Sequence, residues 1–217
     1  MASQPIDLAT WPRRDYFYYF TKMMPTAYSI TVDIDVTATT TFLKHQHLKF
    51  FPTYLYLATK LLADQPEFLV GTQDGQLVQY DQLNPSFSLF HEDDHTISNL
   101  WLPFNASYKA FYTQYGEATQ RYQNQHGAMV QSAPAPANSY MIGTIPWVSF
   151  NNYTPIPMQP LTSYAPIIQS GKFKVVNGRQ LMPLSFTIHH AVADGYHVSR
   201  YLNRLEAAFA RPAQYLS

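Results

Sequence analysis

Between residues 29 and 36 the chain alternates strictly. Ile30, Val32, Ile34 and Val36 fall on one side, and Thr31, Asp33 and Asp35 on the other. A period of two is that of a strand with one buried face. Upstream, Thr10-Trp11-Pro12 opens a helix with proline in its first turn; it carries Arg13, Arg14 and the aromatic run 16–20, and stops before Pro25. Residues 37–48 read as a short helix, and a second starts near Pro52 and ends about Asp64, with Leu55, Leu61 and Leu62 inward. Asp74-Gly75 within residues 68–80, and Asn177-Gly178 between 173–176 and 181–190, separate apolar runs in the manner of tight hairpins.

Further strands are predicted at 87–90, 95–102 and 140–145, the last ended by Pro146. Residues 107 to about 124 place Tyr108, Phe111, Tyr112, Tyr115, Ala118 and Tyr122 at helical spacing, and 198–209 form a closing amphipathic helix. Helices and hairpins mix without a regular βαβ alternation. The fold class expected is therefore α+β, a two-layer sandwich of a mixed β-sheet packed against helices. Residues 131–138 and the proline-rich 154–160 read as loops, the latter inside one domain spanning residues 1–217.

Composition narrows the functional classes. Lys plus Arg and Asp plus Glu number 14 each, and charged residues are 13% of the chain, against about 25% in a typical protein. A nucleic-acid partner would require a basic excess that is missing here. There is no cysteine, so thiolate nucleophiles, disulfides and cysteine metal sites are excluded. The first ten residues have neither the basic nor the apolar segment of a secretory signal, and no apolar run has the length to cross a bilayer. A soluble cytoplasmic protein with no membrane partner is expected. With 17 Tyr and 14 Phe, aromatic side chains are available for a core, a pocket or a subunit interface.

The densest chemistry lies in residues 183–195, PLSFTIHHAVADG. A strand runs into His189-His190, and Asp194-Gly195 follows before a helix. Adjacent strand residues point to opposite faces, so only one histidine can serve a given cleft. A neutral imidazole at a strand end can take a proton from a hydroxyl near pH 7. Asp194 can fix the turn that Gly195 permits. Two histidines by themselves are more often satisfied structural residues at a strand end, and it is the full arrangement, His-His-x-x-x-Asp-Gly after a strand, that shifts the balance toward chemistry. Of the other histidines, His45 and His47 diverge from each other on a helix and read as surface, the cluster His91-Glu-Asp-Asp-His95 has the composition of a ligand set, and His197 reads as structural.

His189-His190-Ala-Val-Ala-Asp194-Gly195 resembles the signature of CoA-dependent acyltransferases. The flanking segments Trp11-Pro-Arg-Arg14, Lys49-Phe-Phe-Pro52, Phe90-His-Glu92, Pro146-Trp-Val-Ser-Phe150 and Ala165-Pro-Ile-Ile168, with 195–205, resemble the chloramphenicol acetyltransferase family in order and spacing. The resemblance implies acetyl transfer from acetyl-CoA to a hydroxyl of chloramphenicol, in a ternary complex without an acyl-enzyme and without metal. It implies His190 as general base, Asp194 as the carboxylate holding the active-site turn, and Arg13 as its ion-pair partner, with Arg14 a surface charge and His91-Glu-Asp-Asp-His95 a polar turn that holds no metal.

The same resemblance places Tyr19, Phe20, Met24, Thr26, Tyr28, Tyr153 and Gln169 in the acceptor pocket. It sets Lys172 and Phe173 against CoA, and implies a homotrimer whose sites lie between subunits. One position departs from the family: the serine that hydrogen-bonds the oxyanion is replaced by Gly143, followed by Thr144, whose side chain should face the other side of its strand. Two alternatives stand beside this reading: the same chemistry on another alcohol, and a weakly active or inactive relative that binds an aromatic ligand.

Overall fold

The computed structural model describes residues 2–156 and 164–216. In chain order the elements are β1 (Ser3–Pro5), α1 (Arg14–Tyr18), β2 (Ala27–Asp35), α2 (Thr37–His45), α3 (Phe50–Leu62), β3 (Val70–Gln73), β4 (Gln76–Tyr80), β5 (Asn84–Phe90), β6 (Ile97–Trp101), α4 (Tyr108–Tyr122), β7 (Ser139–Ile145), β8 (Ile167–Gly171), β9 (Lys174–Val176), β10 (Arg179–His189), α5 (Gly195–Ala210) and α6 (Pro212–Tyr215). Seven strands form one mixed sheet in the order β2-β10-β8-β7-β5-β6, with β9 on β10. β7 runs parallel to both β5 and β8, and the other pairings are antiparallel. This is the expected α+β sandwich.

Strand register decides which residues share a face, because paired residues in adjacent strands point the same way. Ser185, Gln169 and Gly143 form one row across β10, β8 and β7; Leu184, Ser170 and Thr144 form the next. The second row faces α3, whose residues 52–59 and 61–62 are all buried. α3 is thus buried well beyond the three leucines read from its sequence. On the same side Phe186 of β10 packs on Tyr201 of α5 at a ring separation of 5.1 Å and on Phe68 at 5.0 Å. The first row faces away from the helices.

Several expectations are refined. The hairpin around Asp74-Gly75 exists, with φ of 51° and 78°, but it joins β1 in a separate three-stranded sheet. The Asn177-Gly178 hairpin has φ of 50° and 77°, the left-handed pair that a tight turn needs. The aromatic helix is regular only over Arg14–Tyr18. A π-helical turn, Tyr19–Met23, completes it, and Met24 N–H donates to the Tyr19 carbonyl at 2.8 Å. Strand β8 was missed by the sequence reading. Its five residues, IIQSG, lack alternation, because hydrogen bonds on both edges, to β7 and β10, define it rather than one apolar face.

Candidate functional site

β10 delivers His190 just past its C-terminal end, where the backbone N–H of His190 donates to the Thr26 carbonyl at 2.8 Å. Its imidazole lies flat on Phe20, with ring centroids 3.9 Å apart and planes 5° apart, and Tyr28 closes the side at 4.9 Å. Nδ1 of His190 is buried and lies 3.3 Å from Asp194 Oδ1 without the alignment of a hydrogen bond. Since the side chain as a whole remains 30% exposed, Nε2 is the nitrogen left for an incoming hydroxyl.

Arg13 forks onto Asp194, with Nη1 to Oδ2 at 2.8 Å and Nη2 to Oδ1 at 2.9 Å. The same guanidinium donates to the carbonyls of Ala191 and His190, both at 3.3 Å. It therefore holds the whole turn, not the carboxylate alone. These donors keep the Asp194 carboxyl below the usual carboxylate range, with Arg13 the largest cause. Asp194 caps α5, and its N–H donates to His197 Nδ1 at 3.0 Å, which gives His197 its structural place. The Tyr28 hydroxyl donates to the Ala193 carbonyl at 3.3 Å, and burial pushes its ionisation upward. His189 faces the other way, edge-on to Tyr164 at 5.3 Å; burial, then the neighbouring His190, lowers its pKa.

Two cavities flank β7 and β8. On the helix side, a space of about 430 Å³ is lined by Phe50, Phe51, Tyr54, Thr144, Lys172 and Phe173, among others. Phe173 meets Phe50 edge to face at 4.8 Å, and Lys172 is exposed at the mouth. On the opposite side, about 470 Å³ is enclosed by residues that include Ser86, Ser88, Asn99, Gly143, Tyr153 and Gln169. Gly143 and Thr144 thus open onto different cavities, as strand alternation requires.

A family model for chloramphenicol acetyltransferase matches residues 1–206. The chain belongs to the chloramphenicol acetyltransferase family. Relatives of that name from Clostridium perfringens and Haemophilus influenzae are each 33% identical. The first alignment spans 207 residues, 95% of this chain and 98% of the relative; the second spans 201 residues, 93% and 94%. A solved chloramphenicol acetyltransferase superposes with a TM-score of 0.83 at 22% identity, covering 97% of this chain and all of its own. The dihydrolipoamide acetyltransferase of Azotobacter vinelandii shares the fold at a TM-score of 0.69 and 18% identity, over 88% of this chain and 84% of its own.

Within one chain of this acetyltransferase family member, the residues singled out from sequence fall into three groups. Arg13, Phe20, Tyr28, His190 and Asp194 meet at the C-terminal end of β10. Tyr19 stands edge-on to Phe20 at 5.0 Å, and its hydroxyl donates to Met24 Sδ at 3.7 Å; Thr26 Oγ1 donates to the Met24 carbonyl at 2.7 Å. Gly143, Tyr153 and Gln169 share the second cavity. Thr144, Lys172 and Phe173 share the first. The row of Gln169 and Gly143 aligns with Ser185, four residues before His189, which is about 13 Å along a strand. A single chain therefore does not bring His190 to Gly143.

Sequence reading missed Phe50, Phe51 and Tyr54 as cavity walls, since a helix buried all round gives no periodic signal. It also missed Ser86 and Ser88, whose spacing of two within β5 places them on one face. Of the remaining candidates, His45 and His47 are exposed, with His47 already beyond the end of α2. The ligand atoms of His91, Asp93 and His126 lie within 4.8 Å of one another. Both His91 nitrogens are engaged, by the Gln123 carbonyl at 3.2 Å and Ser98 Oγ at 2.8 Å. The two histidine rings stack at 4.3 Å and 29°, and His126 Nδ1 is itself engaged by Asp94 Oδ2 at 2.7 Å. The tail of the 154–160 loop lies outside the described residues. Among the described residues no helix is long and apolar enough to cross a membrane.

Proposed function

We propose that the protein transfers the acetyl group of acetyl-CoA to a hydroxyl of chloramphenicol, with His190 as general base, in an assembly of three chains. The observation that carries this reading is the state of the His190 imidazole: Nδ1 is buried, the ring is stacked on Phe20 with Tyr28 tilted against its side, and the 30% of the side chain that stays exposed leaves Nε2 for the substrate. In the reaction, Nε2 accepts the proton of the acceptor hydroxyl while the oxygen bonds to the thioester carbonyl carbon. The carbon–sulfur bond then breaks, and the same proton passes from Nε2 to the departing thiolate. Arg13 and Asp194 act by holding the turn, not by exchanging protons. A positioned base of this kind contributes about 10²–10⁴ in rate.

The helix-side cavity fits the co-substrate. Its aromatic walls suit an extended thiol arm, Phe173 offers a ring face for adenine, and Lys172 offers a cation for phosphate at the mouth. The opposite cavity, with Ser86, Ser88, Asn99 and Tyr153, fits a polar acceptor carrying an aromatic ring.

Separation of His190 from the Gly143 cavity supports a site completed by a neighbouring copy. Both halves are edged by exposed apolar side chains: Tyr18, Met23 and Met24 near His190, Met141 and Ile156 at the cavity. A head-to-tail contact between unlike patches closes into a ring of three when each step turns the chain by a third of a revolution. We place the protein in solution in the cytoplasm.

The test is release of CoA thiol with acetyl-CoA and chloramphenicol, alongside sedimentation of the intact protein. Release together with a trimer is expected. Release only with other alcohols would replace the acceptor, and binding of chloramphenicol without release from any alcohol would make the protein a sequestering one. Mixing His190→Ala chains with Gly143→Trp chains, whose cavity is blocked, should restore part of the activity, because some mixed interfaces join two intact halves.

A further inference from the structure

We propose that Gln169 donates the hydrogen bond to the reaction's oxyanion that Gly143, lacking a side chain, cannot. The inference rests on the acetyl-transfer reading above and deepens it at one position.

Gly143 and Gln169 are register partners on neighbouring parallel strands and face the same cavity. Two backbone donors lie at one end of the Gln169 amide, Thr144 N at 3.0 Å and Ile145 N at 3.2 Å. Those donors require the amide oxygen at that end. The reverse orientation would set the NH2 against two N–H groups in exchange for one 3.4 Å contact with the Ser170 carbonyl. With the oxygen pinned, the other end of the amide is the NH2. It lies 3.1 Å from where a Cβ on Gly143 would stand. A donor group from β8 thus occupies the space that a side chain at 143 would need.

The neighbouring hydroxyls of Thr144 and Ser170 belong to the row on the other face of the sheet. Thr144 opens onto the other cavity, and Ser170 Oγ is committed to the Gly143 carbonyl at 3.3 Å. When the hydroxyl adds to the thioester, negative charge forms on the carbonyl oxygen. A donor already fixed by two backbone contacts can meet that charge without rearranging. Glycine at 143 and glutamine at 169 therefore act as one unit, since a larger residue at 143 would press directly on the amide.

Steady-state rates of Gln169→Glu, Gln169→Ala, Gly143→Ser and Gly143→Ser/Gln169→Ala test the pairing, with circular dichroism and sedimentation confirming fold and assembly. Glutamate can keep the Thr144 and Ile145 contacts but presents an acceptor where the NH2 stood. We expect kcat to fall about 10²–10³-fold in Gln169→Glu and Gln169→Ala, with the KM for acetyl-CoA little changed. The deficit of Gln169→Glu relative to the parent should narrow as pH falls and the new carboxylate takes up a proton. Gly143→Ser alone should not accelerate the parent enzyme, whereas in the Gln169→Ala background it should recover at least tenfold.

If both Gln169 variants keep kcat within threefold of an active parent, the assignment is wrong. A double variant no faster than Gln169→Ala overturns it too. A parent enzyme that releases no CoA with any hydroxyl overturns the acetyl-transfer reading itself, a result distinct from either.

Discussion

Arg13 holds Asp194 through two parallel hydrogen bonds, 2.8 and 2.9 Å long, across 181 residues of sequence. The fork joins the start of the first helix to the turn that carries His190. The Arg13 side chain is 14% exposed and that of Asp194 38%, so water screens the pair in part. Arg13→Ala should therefore cost about 1–3 kcal/mol, less than the 3–5 kcal/mol of a fully buried pair. Because Arg13 lowers the folded-state pKa of Asp194, its contribution is present above the ordinary Asp value of about 4 and is lost as pH falls through the folded value. Urea unfolding at pH 7 should show the full deficit, and the two proteins should converge in acid. A deficit that persists unchanged below both values would assign the stabilisation to the carbonyl contacts of Arg13 instead.

The two adjacent histidines should respond differently to substitution. His190→Ala is expected to lower kcat by at least 10²-fold while leaving the assembly intact. His189→Gln should keep most of the activity, since His189 packs on Tyr164 and faces away from the Phe20–Tyr28 side. Thiol-release kinetics on both variants decide which ring takes the proton.

Phe20→Ala removes the flat support beneath His190. A stacked aromatic pair contributes about 0.5–1.5 kcal/mol, which corresponds to roughly a two- to tenfold loss if the stack is needed to hold the ring for reaction. The loss should appear in kcat more than in the KM for acetyl-CoA. An equal rise in both KM values would mean that the ring contacts substrate rather than orienting the histidine.

Gly171→Ala tests the coupling of fold and cavity. An added Cβ would stand 2.8 Å from the Phe150 ring and 2.9 Å from Pro183, closer than real contacts allow. Displacing those groups should destabilise the protein by about 1–3 kcal/mol. Because the added Cβ shares its strand face with Gln169, and the displaced Phe150 packs on Tyr153 of the acceptor cavity at 5.8 Å, the KM for chloramphenicol should rise while that for acetyl-CoA changes less. Thermal melting and two-substrate kinetics separate the effects.

Local chemistry was legible in the order of residues. Both left-handed turns, Asp74-Gly75 and Asn177-Gly178, follow from backbone sterics that a dipeptide carries with it. The alternation of β2 and the strand–turn–helix at 183–195 likewise need only nearest neighbours. So does the opposition of Gly143 and Thr144, and the segments flanking His189-His190 were distinctive enough to mark the family. What the order of residues could not supply was long-range pairing. Strand β8 exists because β7 and β10 hydrogen-bond to its two edges, partners 26 and 16 residues away in the Gln169 row that leave no periodic mark within IIQSG. Only that pairing sets Gln169 beside Gly143 and turns an apparent vacancy in the site into a place filled by another side chain. Tertiary packing alone likewise decided that Arg13 binds the carbonyls of the turn as well as Asp194, and that His190 lies far from Gly143 in its own chain. Register and distance are properties of the assembled sheet, where each strand's position is fixed by its neighbours' hydrogen bonds and not by its own composition.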